Sequence, residues 1–206
     1  MARLRLKTKL VLAISGMVFA LVAMLSYVYV SQLVRQRMLE AYDTADFIAK
    51  QIRESARVAT QVDLSSAPID MNDPAQVQAA LEEQLQTDQG LNTLLQSIVG
   101  YSEIIYDAAI ADVKGRAMLH TDAGAIGTEL DDRLDFKQVV GGTFLRQLKV
   151  VYGTPRVYDV YLPIQREGRS FGDIRVGIST VFLKSELKPQ LTRALTFSII
   201  AILVSM

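Results

Sequence analysis

An uncharged apolar run from Leu10 to Val30, and a second that opens at Ala194 and is still apolar at Met206, bracket a mostly polar stretch of chain. The first run has 21 residues, which as a helix span about 31 Å, the hydrocarbon thickness of a bilayer. Arg3, Arg5, Lys7 and Lys9 precede it without an acid, so the positive-inside tendency keeps residues 1–9 cytoplasmic and puts the residues after Val30 outside. A cleaved signal peptide would share the basic start, but this apolar core is longer than such peptides carry and no A-x-A site closes it. Tyr27 and Tyr29 suit an aromatic belt at the outer interface. The terminal run reads as the start of a second, truncated membrane helix over 191–206, with an interfacial anchor as the alternative.

Residues 31–190 are then one extracytoplasmic domain, long enough for a core of its own. With no cysteine, neither a disulfide framework nor a thiolate metal site exists. Lysine and arginine balance aspartate and glutamate at 22 each, which offers nothing to nucleic acid.

From Ser31 to about Thr60 the chain is rich in helix formers, lacks glycine and proline, and repeats Ile48, Ile52 and Ala56 at helical spacing. The membrane helix therefore continues outward as a stalk. Turn-forming residues fill Val62 to Pro74, and Asp73 before Pro74 marks a helix start. That second helix extends to about Val99, with Gly90 a point of interruption. Strand-like runs follow at Ile104–Ala111, Arg116–Thr121, Leu145–Tyr152, Arg156–Pro163 and Asp173–Thr180, with a short helix over Leu134–Val140 closed by Gly141-Gly142. From Val181 the chain turns helical again. The expected fold is α+β: an antiparallel five-stranded sheet packed against the long N-terminal helix and a second helix, flanked by two transmembrane helices.

The stretch from Asp112 through Gly115, His120, Thr121 and Asp122 to Ile126 and Gly127 resembles the D-x-x-G-x-x-x-x-H-[ST]-D…I-G segment of extracytoplasmic PAS-like sensors, the single Cache or PDC domains. Val160–Ile164 and Phe171–Ile178 resemble the closing hairpin of the same family. The resemblance covers about 31–190. It implies a PAS-like sensor that binds a small ligand or ion outside the cell and passes a helix movement through the inner membrane. The output it implies is a histidine kinase, chemoreceptor or cyclase module. The basic juxtamembrane start and the stalk look most like a sensor histidine kinase.

Read as residues alone, Asp112 with Gly115 suits a tight hairpin, and Gly127 suits a positive φ or a close backbone approach. Strand periodicity puts Arg116, Met118 and the single histidine, His120, on one face. A guanidinium and an imidazole there can hold a carboxylate or phosphate, or can simply face solvent. Carboxylate-binding members of the family space this pair as Arg-x-x-His, and Arg116-x-x-x-His120 departs from that pattern. Arg146 and Tyr152, and on the next strand Arg156 and Tyr158, form a second candidate set, either lining a pocket for an anionic ligand or sitting at strand ends as ordinary packing. Glu129, Asp131, Asp132 and Asp135 lack the ligand spacing of a calcium loop and read as a solvated helix start.

No G-x-S-x-G elbow, phosphate-binding loop or H-E-x-x-H motif is present, so no catalytic site, metal or cofactor is expected in these residues. A histidine kinase's catalysis would lie past Met206. The competing non-enzyme reading is a membrane-anchored assembly factor whose external domain binds a protein, which predicts a filled domain with an exposed apolar patch instead of a concave pocket. A parallel dimer through the stalk would use Leu39, Tyr42, Ile48 and Ile52, with Gly16 and Ala20 as a small-residue pair within the membrane.

Overall fold

The computed structural model describes residues 6–63, 74–166 and 169–205. Helix α1 (Leu6–Asp63) is followed by α2 (Pro74–Thr87) and α3 (Gln89–Tyr101), then strands β1 (Ile105–Asp112) and β2 (Ala117–His120). Short helices α4 (Phe136–Val140) and α5 (Phe144–Tyr152) precede the hairpin β3 (Val157–Arg166) and β4 (Arg169–Ser179), and β4 passes without a loop into α6 (Thr180–Ser205).

Helix α1 is continuous because nothing in it breaks a helix: it holds no proline, and its one glycine, Gly16, lies in the apolar run. Its inner half serves a second purpose. Val34, Met38, Ala41, Ala45, Ile48, Ala49, Ile52 and Ala56 recur at three- and four-residue steps and are all buried. The alanines in that stripe lack bulk beyond Cβ, so the sheet and α6 approach α1 closely. Leu183, Leu187 and Leu191 of α6, at strict four-residue spacing, complete the helical layer. Ile48 and Ile52, expected at a dimer interface, are instead core residues of their own subunit, while Leu39 remains partly exposed. The expected turn region falls almost wholly outside the described residues, as does Asp73; Pro74 does open α2. The interruption near Gly90 comes two residues earlier, where Asp88 ends one helix and caps the next by accepting from the Leu91 N–H at 2.7 Å.

The sheet has four strands in the order β2-β1-β4-β3, all antiparallel, where five strands were expected. Leu145–Tyr152 is the difference: it forms α5, not a strand. The alternation of Arg146, Leu148, Val150 and Tyr152 fits a strand, yet Gln147 and Val151 form a four-residue step that is buried in α5, and the helical stripe won. The Lys114-Gly115 turn and Gly127 behave as the sequence predicts, with Gly115 at φ 79° and Gly127 at φ 80°.

Strand alternation sorts the sheet into two unlike faces. Ala108, Val176 and Val160 lie side by side, as do Ile110, Ile174 and Leu162, and both rows face the helical layer. The other face carries Asp107, Gly177 and Asp159 in one row, and His120, Ala109, Arg175 and Tyr161 in the next. The Asp107 row runs from the central strands β1 and β4 to the edge strand β3, and both of its aspartates are buried.

Helices α1 and α6 pack along each other past the domain, and the Ser26 and Ser198 hydroxyls meet at 2.6 Å. In a chain without cysteine, Ser26→Cys with Ser198→Cys should form a disulfide within one subunit on oxidation. Mobility on a non-reducing gel after cleavage between the two positions reads it, and a band at twice the monomer mass would overturn the intrasubunit packing.

Candidate functional site

The polar face of the sheet is closed by the segment from Gly127 to Asp135. At one end it runs beside the β1–β2 hairpin: the Ala117 N–H donates to the Thr128 carbonyl at 2.9 Å and the Leu130 N–H to the Gly115 carbonyl at 2.9 Å. At the other end it joins β3, where the Asp159 N–H donates to the Leu134 carbonyl at 3.1 Å and Asp135 bridges Asp159. Between these anchors the strap crosses the strands, and Arg133 fastens it to them.

The Arg133 guanidinium donates two parallel bonds to Asp107, Nη1 to Oδ1 and Nη2 to Oδ2, each at 2.8 Å. Nη1 also reaches Asp159 Oδ1 at 3.2 Å. The Tyr161 hydroxyl donates to the Arg133 carbonyl at 2.6 Å, and the guanidinium lies 5.9 Å from the Tyr106 ring centroid. Gly177, directly between Asp107 and Asp159 on β4, makes this possible. A Cβ there would collide with Asp107 Oδ1 and come within 2.9 Å of Arg133 Nη1.

One guanidinium thus serves two buried carboxylates. Burial drives the Asp159 carboxyl up to about 6, against the pull of Arg133, with the Asp107 charge adding to the rise. Burial acts on Arg133 in the opposite sense, but the bonds and charge of Asp107 and then Asp159 outweigh it and hold its proton more firmly than usual. Burial, reinforced by the Asp159 charge, pushes the Tyr161 hydroxyl up to about 12.

Beside the clamp, at the end of the sheet where β1 and β3 begin, lies an open cleft of about 390 Å³. It is lined by Tyr106, the strap residues Asp131 to Leu134, and Arg156, Val157 and Tyr158. Arg156 and Tyr158 both line it, without their expected companions Arg146 and Tyr152. Tyr158 is buried edge-on against Phe136, at 6.2 Å between ring centroids, while the Arg156 side chain is exposed and forms no ion pair among the described residues. The Arg156 backbone is tied to the first residue of the exit helix. Its N–H donates to Thr180 Oγ1 at 2.9 Å, and its carbonyl accepts from the Thr180 N–H and hydroxyl, both at 3.0 Å.

The other sequence candidates lie elsewhere. Arg116 pairs with Asp112 at 3.4 Å and Glu82 at 3.2 Å, beyond the far end of the strap. Asp112 itself is buried, yet the Arg116 and Lys114 N–H groups overcome that burial and hold its carboxyl below the usual range. His120 accepts from the Asp122 N–H through Nδ1 at 2.8 Å, which puts its ring proton on Nε2, 3.8 Å from Asp107 Oδ2. It backs the clamp and does not meet Arg116. Arg146 and Tyr152 are on α5, facing out. Asp135 caps α4 through the Lys137 N–H, so the helix-start reading of the acidic group holds for that residue, while Asp131 and Asp132 line the cleft. No cluster of three or more metal-ligating side chains occurs among the described residues.

Sequence reasoning missed Asp107, Arg133, Asp159 and Gly177. The signal was present in Asp107, a carboxylate in the middle of an otherwise apolar central strand, since a buried carboxylate requires a charged or hydrogen-bonding partner.

A family model described as single Cache domain 3 matches residues 42–192, which takes in the stalk, the sheet, the strap and the first half of α6. No curated protein matches the chain.

The unequal charge count gives the clamp a defined pH dependence. The folded state keeps a proton on Asp159 between pH about 4 and 6, where the unfolded chain has released it, so this group's contribution to stability falls as pH rises through that window. Arg133→Ala leaves two buried carboxylates without their cation and should cost about 3–5 kcal/mol at pH 7.5. Part of that loss should return at pH 5.5, where a protonated Asp159 no longer needs the guanidinium. Thermal unfolding followed by circular dichroism at the two pH values checks this, and equal midpoints for variant and parent at both would refute the clamp.

Proposed function

Because the chain belongs to the single Cache domain 3 family, an extracellular sensor fold, we propose that it is the ligand-sensing part of a two-span inner-membrane receptor, a sensor histidine kinase. The observation that carries this reading is the backbone link between Arg156 in the cleft and Thr180 at the head of α6. A ligand held by the Arg156 side chain pulls on the same residue whose main chain holds the exit helix.

The cleft's chemistry narrows the ligand class. A free guanidinium recruits a carboxylate or phosphate, the phenol rings of Tyr106 and Tyr158 supply apolar walls, and Asp131 and Asp132 favour a positive group on the opposite side. A small zwitterion satisfies all three, and a compact anion satisfies the first two. Among the described residues, α1 is the one helix long and apolar enough to cross a bilayer, and α6 would return beside it. Ligand binding selects a strap position, which biases α6 against α1 between two packings. In a dimer, the exposed positions Leu39, Phe47 and Val58 of α1 are apolar contacts available to a second stalk.

Thermal-shift measurements on the full chain in detergent, against amino acids, carboxylates, amines and divalent cations, test the sensing reading. A bound zwitterion or anion at one hundred times its Kd stabilises by about 2.7 kcal/mol, a rise of several degrees. Arg156→Ala should abolish that shift, whereas Arg116→Ala and Arg146→Ala should preserve it. If no compound shifts the midpoint, the sensing reading fails in favour of a protein-binding scaffold. Oxidative cross-linking of single cysteines at positions 33 to 52 checks the dimer: strong links at positions 39 and 47, and weak ones at the buried 48 and 52, are expected. A flat profile would remove the stalk interface.

A further inference from the structure

Helix α5 reaches down to the apolar part of α1. The Phe144 ring stands edge-on to Tyr27 at 5.5 Å between centroids, and Tyr27 lies three residues inside the outer end of the uncharged Leu10–Val30 run. At 1.5 Å per residue that is about 4.5 Å below the end of the run, the depth of the boundary between headgroups and acyl chains. The other end of α5 is higher up, where Lys184 of α6 lies 5.3 Å from the Tyr152 ring. Helix α5 therefore stands on its N-terminal turn, and that turn is directed toward the plane where the apolar run ends.

The turn has the chemistry of such a surface. Leu145 is 70% exposed, although it adjoins a helix whose buried side is held by Gln147 and Val151. Arg146 beside it is also exposed. Thr143 makes no side-chain bond to the first turn, so the opening N–H groups of α5 are left for an external acceptor. The tip is held rigidly: Gln147 is buried and donates through Nε2 to the Val140 carbonyl at 2.9 Å, bracing α5 on the end of α4. An apolar side chain, a guanidinium and open helix N–H groups at one level match lipid chains below and lipid phosphates above.

We propose that the N-terminal turn of α5, Phe144 to Arg146, inserts into the outer surface of the phospholipid bilayer as a second point of membrane contact for the domain. The proposal rests on α1 being the membrane span. Leu145 enters the acyl boundary, Arg146 binds phosphates, and the contact fixes the height of α4 and so of the strap, which is joined to α4 at Asp135.

The chain has no tryptophan, so a single introduced indole is an unambiguous reporter. Three variants of the full chain, Leu145→Trp, Phe19→Trp and Val113→Trp, are reconstituted in phosphatidylcholine vesicles containing lipids brominated either near the headgroup or deep in the acyl chain. All three positions are exposed, so the substitutions leave the core intact. Leu145→Trp should lose most of its emission to the shallow bromolipid, Phe19→Trp most of its emission to the deep one, and Val113→Trp, on the distant β1–β2 turn, should lose none. Quenching of Phe19→Trp without quenching of Leu145→Trp overturns the tip contact and leaves the span standing. No quenching of Phe19→Trp removes the span and the proposal together. A blue-shifted, unquenched Leu145→Trp would mean that protein, such as a second copy of the chain, covers the tip, and would also overturn the proposal.

Discussion

The Arg133 guanidinium is the contact on which the polar side of this domain depends. It joins the strap to β1 through Asp107 and to β3 through Asp159, across a β4 backbone that is bare at Gly177. Without it the strap would keep its end anchors and the Tyr161 bond to the Arg133 carbonyl, but the buried carboxylates of Asp107 and Asp159 would lose the one cation bonded to both. Such a cluster is not an efficient source of stability, because desolvating three charges offsets most of their attraction. What it provides is position. A bidentate arginine fixes direction as well as distance, and here it sets the strap's height over the sheet and the shape of the cleft beside it. Burial, reinforced by the Asp107 charge, raises the Asp159 carboxyl against the pull of Arg133, so the clamp is held without being fully satisfied.

The opposite face answers to a different constraint, because one uninterrupted α1 carries both an exposed apolar run and a core-forming stripe. Through the apolar run its side chains are largely exposed, as lipid-facing residues would be, and from Val34 inward a narrow stripe becomes the floor of the core. No linker separates the two regimes. The core therefore begins within a turn or so of the end of the apolar run, and the domain has no freedom to stand away from that run. That absence of a spacer brings α5 to the level of Tyr27.

Most of the architecture was legible in local patterns. The unbroken stalk, the β1–β2 hairpin at Gly115, the β3–β4 pair and the return helix all follow from periodicity and turn chemistry over short windows. Segment 145–152 was not, because its apolar and polar residues satisfy a period of two and a helical period at once, and only packing against α1 and α6 decides between them. The site divides in the same way. Arg156 and Tyr158 are two residues apart where β3 begins, Arg156 just before the strand and Tyr158 within it, so a short window contains both. Arg133 lies in a loop, 26 residues from each of its aspartates, and no local pattern links the three. Their union is a property of strand order: β4 inserts between β1 and β3, and a glycine there leaves the gap that the guanidinium fills.

Strand order also links the strap to α6. Gly177, under the clamp, is three residues from Thr180, where β4 becomes α6 with no intervening turn. A change at the clamp that shifts β4 by a fraction of an ångström has no loop in which to dissipate, and packed cores respond to such shifts by repacking as units. Within α6, Pro189 removes one helical hydrogen bond between Leu187 and Leu191, both of which pack into the core. Leu183 and Leu187 hold the helix to the domain before the proline and Leu191 holds it just after, so the weakened turn lies inside the part of α6 that the core grips. A movement of β4 along its own axis would pass through that turn as translation, since the remaining bonds still resist stretching and the leucines on both sides keep the helix seated.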